Sequence, residues 1–179
     1  MKHIRIEFII AFVLWALWMA LMFSYSDKPA DVSEGQSHLV GEVILRFIDG
    51  NFDSLSLEER QARIESIDFA VRKTAHAFEY TVLGILTICV MLNMRPASQP
   101  ETSTLVRRKL MAVACCWGIF FAITDEIHQT CVPGRAGKWQ DVLLDTGGTI
   151  LGVALVALIL WGVRKRRAKA EAALEAISE

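Results

Sequence analysis

Net charge is almost absent from this chain. Its 19 Lys and Arg nearly cancel 20 Asp and Glu, which leaves −1 over 179 residues. A domain without a basic excess has no electrostatic footprint for nucleic acid, so no nucleic-acid partner is expected. Cysteine is scarce as well, at four residues. Cys89, Cys115 and Cys116 fall within apolar runs, and Cys131 stands alone in a polar loop. Cys131 therefore has no disulfide partner on its own side of those runs, and no metal-type spacing occurs. No segment reads H-E-x-x-H or similar, and the carboxylates are mixed with Arg and Lys, so neither a metal nor a cofactor is expected. Internal repeats are missing too. That argues against an autonomous transporter, a class commonly built from inverted repeats.

Apolar side chains are what the chain has in abundance, at 53%, above a soluble average. Four apolar runs cover roughly residues 8–25, 77–92, 110–124 and 142–163. A spanning helix needs about 20 mostly apolar residues. The first and last runs qualify as they stand. The middle two qualify if their polar ends, 72–76 and 125–129, sit at the interface or face protein. The first and last runs are apolar all round rather than striped, which disfavours a soluble bundle. The first run has a basic start and a small-x-small site at Ser24 and Ser26. Its apolar run of 18 residues exceeds the roughly 7–15 of a signal peptide, so it reads as an uncleaved anchor. The expected fold is all-α: an integral membrane four-helix bundle forming one domain over residues 1–163. Its spans lie at about 8–25, 72–92, 108–129 and 141–163, with an outer loop at 26–71 and a tail of basic and acidic residues at 164–179.

Orientation follows from Lys and Arg. Lys2 and Arg5, then Arg95, Arg107, Arg108 and Lys109, then Arg164, Lys165, Arg166, Arg167 and Lys169 fall on one side of four spans. The connector at 26–71 has ten Asp or Glu against four Lys or Arg. The positive-inside rule puts both termini in the cytoplasm and this connector outside. Anionic lipid and topology account for the basic run of the tail.

Within the outer loop, residues 27–37 are rich in Ser, Gly and Asp and read as loose chain. Residues 40–48 are amphipathic, and D-G-N at 49–51 breaks them. Ser56 with Glu59 predicts a capping box for a second short helix, with Leu57, Ile64 and Ile67 on its apolar face. Two readings stay open: helices lying on the outer leaflet, or a small lid packed on the spans. The connector at 93–109 is a plain polar loop.

The charged groups cluster at the outer ends of the spans. On the second span Lys73, His76 and Tyr80 share a stripe, with Arg72 about 100° away and Glu79 off it. The third span ends with Asp125, Glu126 and Gln129. Pro133 and Gly134 form a turn that presents Arg135. The fourth opens with Asp141, Asp145, Gly148 and Gly152 along one face, and small residues one turn apart let a neighbouring helix approach. One outward-facing pocket could gather these groups. An unpaired charge at that depth is costly. Arg135 is therefore expected to pair with Asp125, Glu126, Asp141 or Asp145, and His76 to face the third or fourth span.

Two signatures here resemble those of the VanZ-like membrane family. The first is Lys73, His76, Tyr80, Leu83 and Gly84. The second is Asp125, Glu126, Gln129, Pro133, Gly134, Arg135, Asp141, Asp145, Gly148 and Gly152. The resemblance covers about residues 8–162. Two positions depart from it: Arg72 stands where an Asp is common, and Asp145 where Asn is more usual. The family's name-giving member is associated with low-level resistance to the glycopeptide teicoplanin. The resemblance implies a bacterial cell envelope of Gram-positive type.

The candidate ligand-binding set is thus Arg72, Lys73, His76, Tyr80, Asp125, Glu126, Gln129, Arg135, Asp141 and Asp145, with Gly148 and Gly152 as packing residues. Opposed to it is a purely structural reading, in which the charges pair to fix helix register and His76 and Tyr80 bond across the seam. Trp15, Trp18, Trp139 and Trp161 read as interfacial anchors or lipid-facing bulk. Three functions fit. One is binding of a membrane lipid, a lipid-linked cell-wall precursor or a glycopeptide. Another is an enzyme on a phospholipid headgroup, with His76 as base or nucleophile oriented by Asp125 or Asp141. The third is a subunit of a lipid transporter or flippase.

Overall fold

A computed structural model describes residues 6–94 and 104–178 of the chain. Five α-helices carry these residues: α1 (Ile6–Ser26), α2 (Ala30–Ile48), α3 (Leu57–Asn93), α4 (Thr104–Gln129) and α5 (Trp139–Ser178). Helices α1, α3, α4 and α5 are long and apolar enough to cross a membrane, so the protein is an all-α membrane bundle of four spans. Lys2, Arg5 and Arg95 and most of the 93–109 connector lie outside the described residues.

The segment between the first two spans is more helical than its composition suggests. Helix α2 begins at Ala30, directly after Pro29, whose fixed φ of −54° suits a helix entry. It therefore takes in most of the Ser/Gly/Asp-rich stretch expected to be loose. Ser37 Oγ donates to Asp68 of α3, and Gly41 lies against Ile67. That packing holds the stretch helical despite weak propensity. Asp49 and Gly50 end α2, and a single 3₁₀ turn at Phe52–Ser54 reverses the chain.

Ser56 then starts α3 with the expected reciprocal cap: its hydroxyl accepts from Glu59 N at 3.3 Å, and Glu59 Oε2 accepts from Ser56 N at 2.9 Å. This helix does not stop at the membrane. It runs 37 residues without interruption, about 55 Å at 1.5 Å per residue, so the short outer helix and the second span are one rod. Leu45, Phe52 and Ile64 form the small core between α2 and the first half of α3, with Leu55 and Ile67 against it. Leu57, expected on that face, is 83% exposed, because it lies in the first turn, beyond the 3₁₀ reversal.

The spanning layer packs through small residues. A Cβ on Gly152 would collide with the carbonyl oxygen of Thr81, and one on Gly148 would lie 2.6 Å from that of Ala77. Two glycines one turn apart on α5 thus rest on two carbonyls one turn apart on α3. Gly84 rests on the Thr149 backbone, and Gly118 of α4 on the Thr149 side chain. Tyr80, Leu83 and Ala122 with Met22, and Ile88, Ala114 and Val153, fill the interior. Trp15 and Trp18 turn inward instead of anchoring in lipid: Trp15 Nε1 donates to Thr87 Oγ1 and Trp18 Nε1 to the Glu79 carbonyl, both at 3.0 Å. Trp139 and Trp161 are exposed. Helix α5 continues through the charged tail to Ser178.

Candidate functional site

The site forms where the α2–α3 hairpin meets the bundle. A cavity of about 660 Å³ opens there, within the range of small-molecule sites. Helix α2 contributes Ser33, Ser37, Val40, Ile44 and Ile48, at intervals of three and four residues, so they form one stripe. Helix α3 supplies Ile67, Val71, Arg72, His76, Phe78 and Glu79. The end of α1 adds Met22, Tyr25 and Ser26, α4 adds Asp125, and the loop before α5 adds Arg135. The lining changes character along its length. Toward the hairpin tip it is Val40, Ile44, Ile48 and Ile67; at the bundle end it carries Arg135, His76, Glu79 and Asp125.

Arg135 is placed by its loop. Gly134 has φ +75°, a left-handed conformation that glycine adopts without a Cβ penalty. The preceding carbonyl, of Pro133, accepts from Ala30 N at 3.3 Å, which ties the loop to the start of α2. Arg135 Nη1 donates to the Ser26 carbonyl at 3.0 Å, and Nη2 to Ser33 Oγ at 2.9 Å. A cation at the C-terminus of α1 satisfies an orphan carbonyl and complements the helix dipole. The expected pairing of Arg135 with a carboxylate does not occur: among the described residues it forms no ion pair. The end of α1 and a hydroxyl take that role, and the guanidinium has further donors to offer.

The other candidates divide between the cavity wall and positions off it that are half-buried or buried. Arg72, His76 and Asp125 share the wall with Arg135. Arg72 is held at 2.8 Å by Asp68, four residues earlier on the same helix. Asp125 Oδ2 accepts from Gln129 Nε2 at 3.0 Å. Off the wall, half-buried Lys73 and Asp141 form an ion pair that joins α3 to the start of α5. Glu126 is buried and accepts from the Lys138 backbone N at 2.7 Å, holding the loop from inside. Tyr80 is fully buried against Phe121. Asp145 is also fully buried, and its Oδ1 lies 3.8 Å from His76 Nδ1. His76 therefore faces the fourth span, and among the described residues the carboxylate within 4 Å of it is that of Asp145.

Four residues of the site escape the sequence reading. Glu79 lies three residues after His76 and so shares its side of the helix; a stripe drawn through Tyr80 hides this. Asp68, four before Arg72, is a legible i,i+4 pair. Ser26 and Ser33 carry no sequence signal, because a backbone carbonyl and a lone hydroxyl are common everywhere.

Among the described residues no group of His, Cys, Asp and Glu is arranged to hold a metal ion. Compared with known proteins, the chain matches one family model, described as VanZ/LLP1, over residues 11–160. No curated protein and no solved structure matches it.

Proposed function

Because this chain belongs to the VanZ/LLP1 family, we propose that it is an envelope protein that holds a membrane amphiphile with a phosphate-bearing headgroup in the cavity at its hairpin end. The observation that carries this reading is the two-part lining. Arg135 at the polar end has donors free for a phosphate or carboxylate oxygen, and charge-assisted bonds of this kind are the strong ones. The cavity-facing stripe of α2 runs from Ser33 to Ile48, and its apolar part, Val40 to Ile48, is about 12 Å long at 1.5 Å per residue. That is somewhat shorter than one leaflet's share, about half, of the roughly 30 Å hydrocarbon core. Part of a single acyl chain can lie along Val40, Ile44 and Ile48 with the headgroup at the Arg135 end.

The membrane is the bacterial cytoplasmic membrane, with both termini inside and the cavity outside. The clusters at Arg107–Lys109 and Arg164–Lys169 support this orientation, opposed by the acidic 26–71 segment. Lipid handling at the outer face, or tolerance of a glycopeptide that acts there, is the cellular role we assign. Native mass spectrometry of the detergent-extracted protein tests the binding. Wild type should carry one phospholipid-sized adduct, and Arg135→Ala should lose most of it while keeping its helical circular dichroism. Equal adducts on both proteins would refute the assignment of the headgroup to Arg135.

A second reading has one specific observation behind it. His76 lines the cavity, and the fully buried Asp145 lies 3.8 Å behind its Nδ1, an acid that could orient the imidazole if the two closed to hydrogen-bond distance. Catalytic hydrogen bonds are often long before substrate binds. In that case the held lipid is a substrate and His76 takes a proton from the attacking group.

A further inference from the structure

The charges at the polar end define the headgroup more narrowly than a phosphate alone. Four acidic or basic side chains line the cavity wall: Arg72, Glu79, Asp125 and Arg135. Arg72 is neutralised by Asp68 at 2.8 Å. What remains is one guanidinium and two carboxylates, and among the described residues neither Glu79 nor Asp125 forms an ion pair. Among the described residues Asp125 accepts from the neutral amide of Gln129. Arg135 itself is engaged with neutral oxygens of Ser26 and Ser33. A purely anionic headgroup would bring further negative charge to a site already one carboxylate in excess, in surroundings where like charges repel strongly.

From this juxtaposition we propose that the headgroup carries a primary ammonium beside its phosphate: the phosphate meets Arg135, and the ammonium meets Glu79 and Asp125. The ligand class is thus an aminophospholipid. The inference rests on the lipid-binding reading above and adds the sign of the headgroup to it. Glu79 is well placed for the role. It lies one turn below His76 on α3, and its backbone carbonyl is fixed by Trp18 at 3.0 Å, so its side chain is presented from a braced position. Phosphate and ammonium then cross the polar end between the loop before α5 and the facing sides of α3 and α4.

The test is a competition in mixed micelles between phosphatidylethanolamine and phosphatidylglycerol of identical acyl chains, read by native mass spectrometry. Wild type should retain the ethanolamine lipid roughly tenfold or more over the glycerol lipid, the size expected of one charge-assisted contact. The double variant Glu79→Gln, Asp125→Asn should lose that preference by gaining phosphatidylglycerol, a gain that a misfolded variant would not show. If wild type holds both lipids equally, or prefers phosphatidylglycerol, the ammonium assignment is overturned while lipid binding stands. Retention of neither lipid would overturn the lipid reading itself.

Discussion

The contact of α5 on α3 makes a quantitative expectation possible, because two glycines five residues apart differ in what surrounds them. Replacing either Gly147 or Gly152 by Ala adds the same methyl group and the same gain in helix propensity, about 1 kcal/mol. At Gly147 nothing among the described residues lies within 4 Å of the added Cβ. At Gly152 the Cβ meets the Thr81 carbonyl oxygen and lies 3.0 Å from Ile85 N. Both obstacles are backbone atoms of a continuous helix, so neither can swing aside. The propensity terms cancel between the two variants, and what is left is the clash. Overpacking of this kind costs about 1–3 kcal/mol. At about 2–4 °C per kcal/mol for a chain of this length, Gly152→Ala should melt roughly 2–12 °C below Gly147→Ala. Differential scanning fluorimetry in one detergent, following the five tryptophans, measures this directly. Equal melting temperatures, or a lower one for Gly147→Ala, would mean that α5 does not rest on α3 through this face.

Other expectations concern the charged end of the bundle. Cys131 is exposed and free, so an impermeant maleimide added to intact cells should label it; labelling only after permeabilisation would reverse the proposed orientation. Lys73→Ala and Asp141→Ala should be non-additive in stability. Their side chains are 28% and 20% exposed, and contacting charged residues typically couple by about 0.5–3 kcal/mol; zero coupling in the double-mutant cycle would remove the pair as the tie between α3 and α5. His76→Gln should leave the proposed lipid retention in place if the protein only binds. A loss of turnover on a lipid substrate of about 10²–10⁴-fold with binding intact would instead support catalysis by His76.

The four spans were legible in the sequence because long apolar stretches have few alternatives to crossing a membrane. The capping box at Ser56 and Glu59 was legible because it is a local, reciprocal pattern. Helix boundaries set by tertiary packing were not. The polarity of residues 57–71 suggested a helix separate from the span, yet no Pro or Gly interrupts the chain between Leu57 and Thr81, and a helix does not end where its surroundings change from water to lipid. Residues 30–37 read as loose because their propensity is weak; their contact with α3, through Ser37 and Asp68, has no local signature. The charged residues were found by the rule that such groups are rare in membranes. Their partners were not: the rule favoured Arg135 beside an acid, and the actual acceptors are the Ser26 carbonyl and the Ser33 hydroxyl. Trp15 and Trp18 show the same limit, since an indole that bonds inward looks in sequence like one that anchors at the interface.

Filling the cavity tests lipid binding most directly. Ala70 lies on its wall between the apolar arm and the polar end, and Ala70→Trp places an indole in the path of an acyl chain without touching Arg135. Phosphorus per protein, determined after exhaustive detergent exchange, should be close to one lipid per chain for wild type and well below that for Ala70→Trp of equal thermal stability. Equal phosphorus in the two proteins would contradict the cavity as the place where the lipid is held.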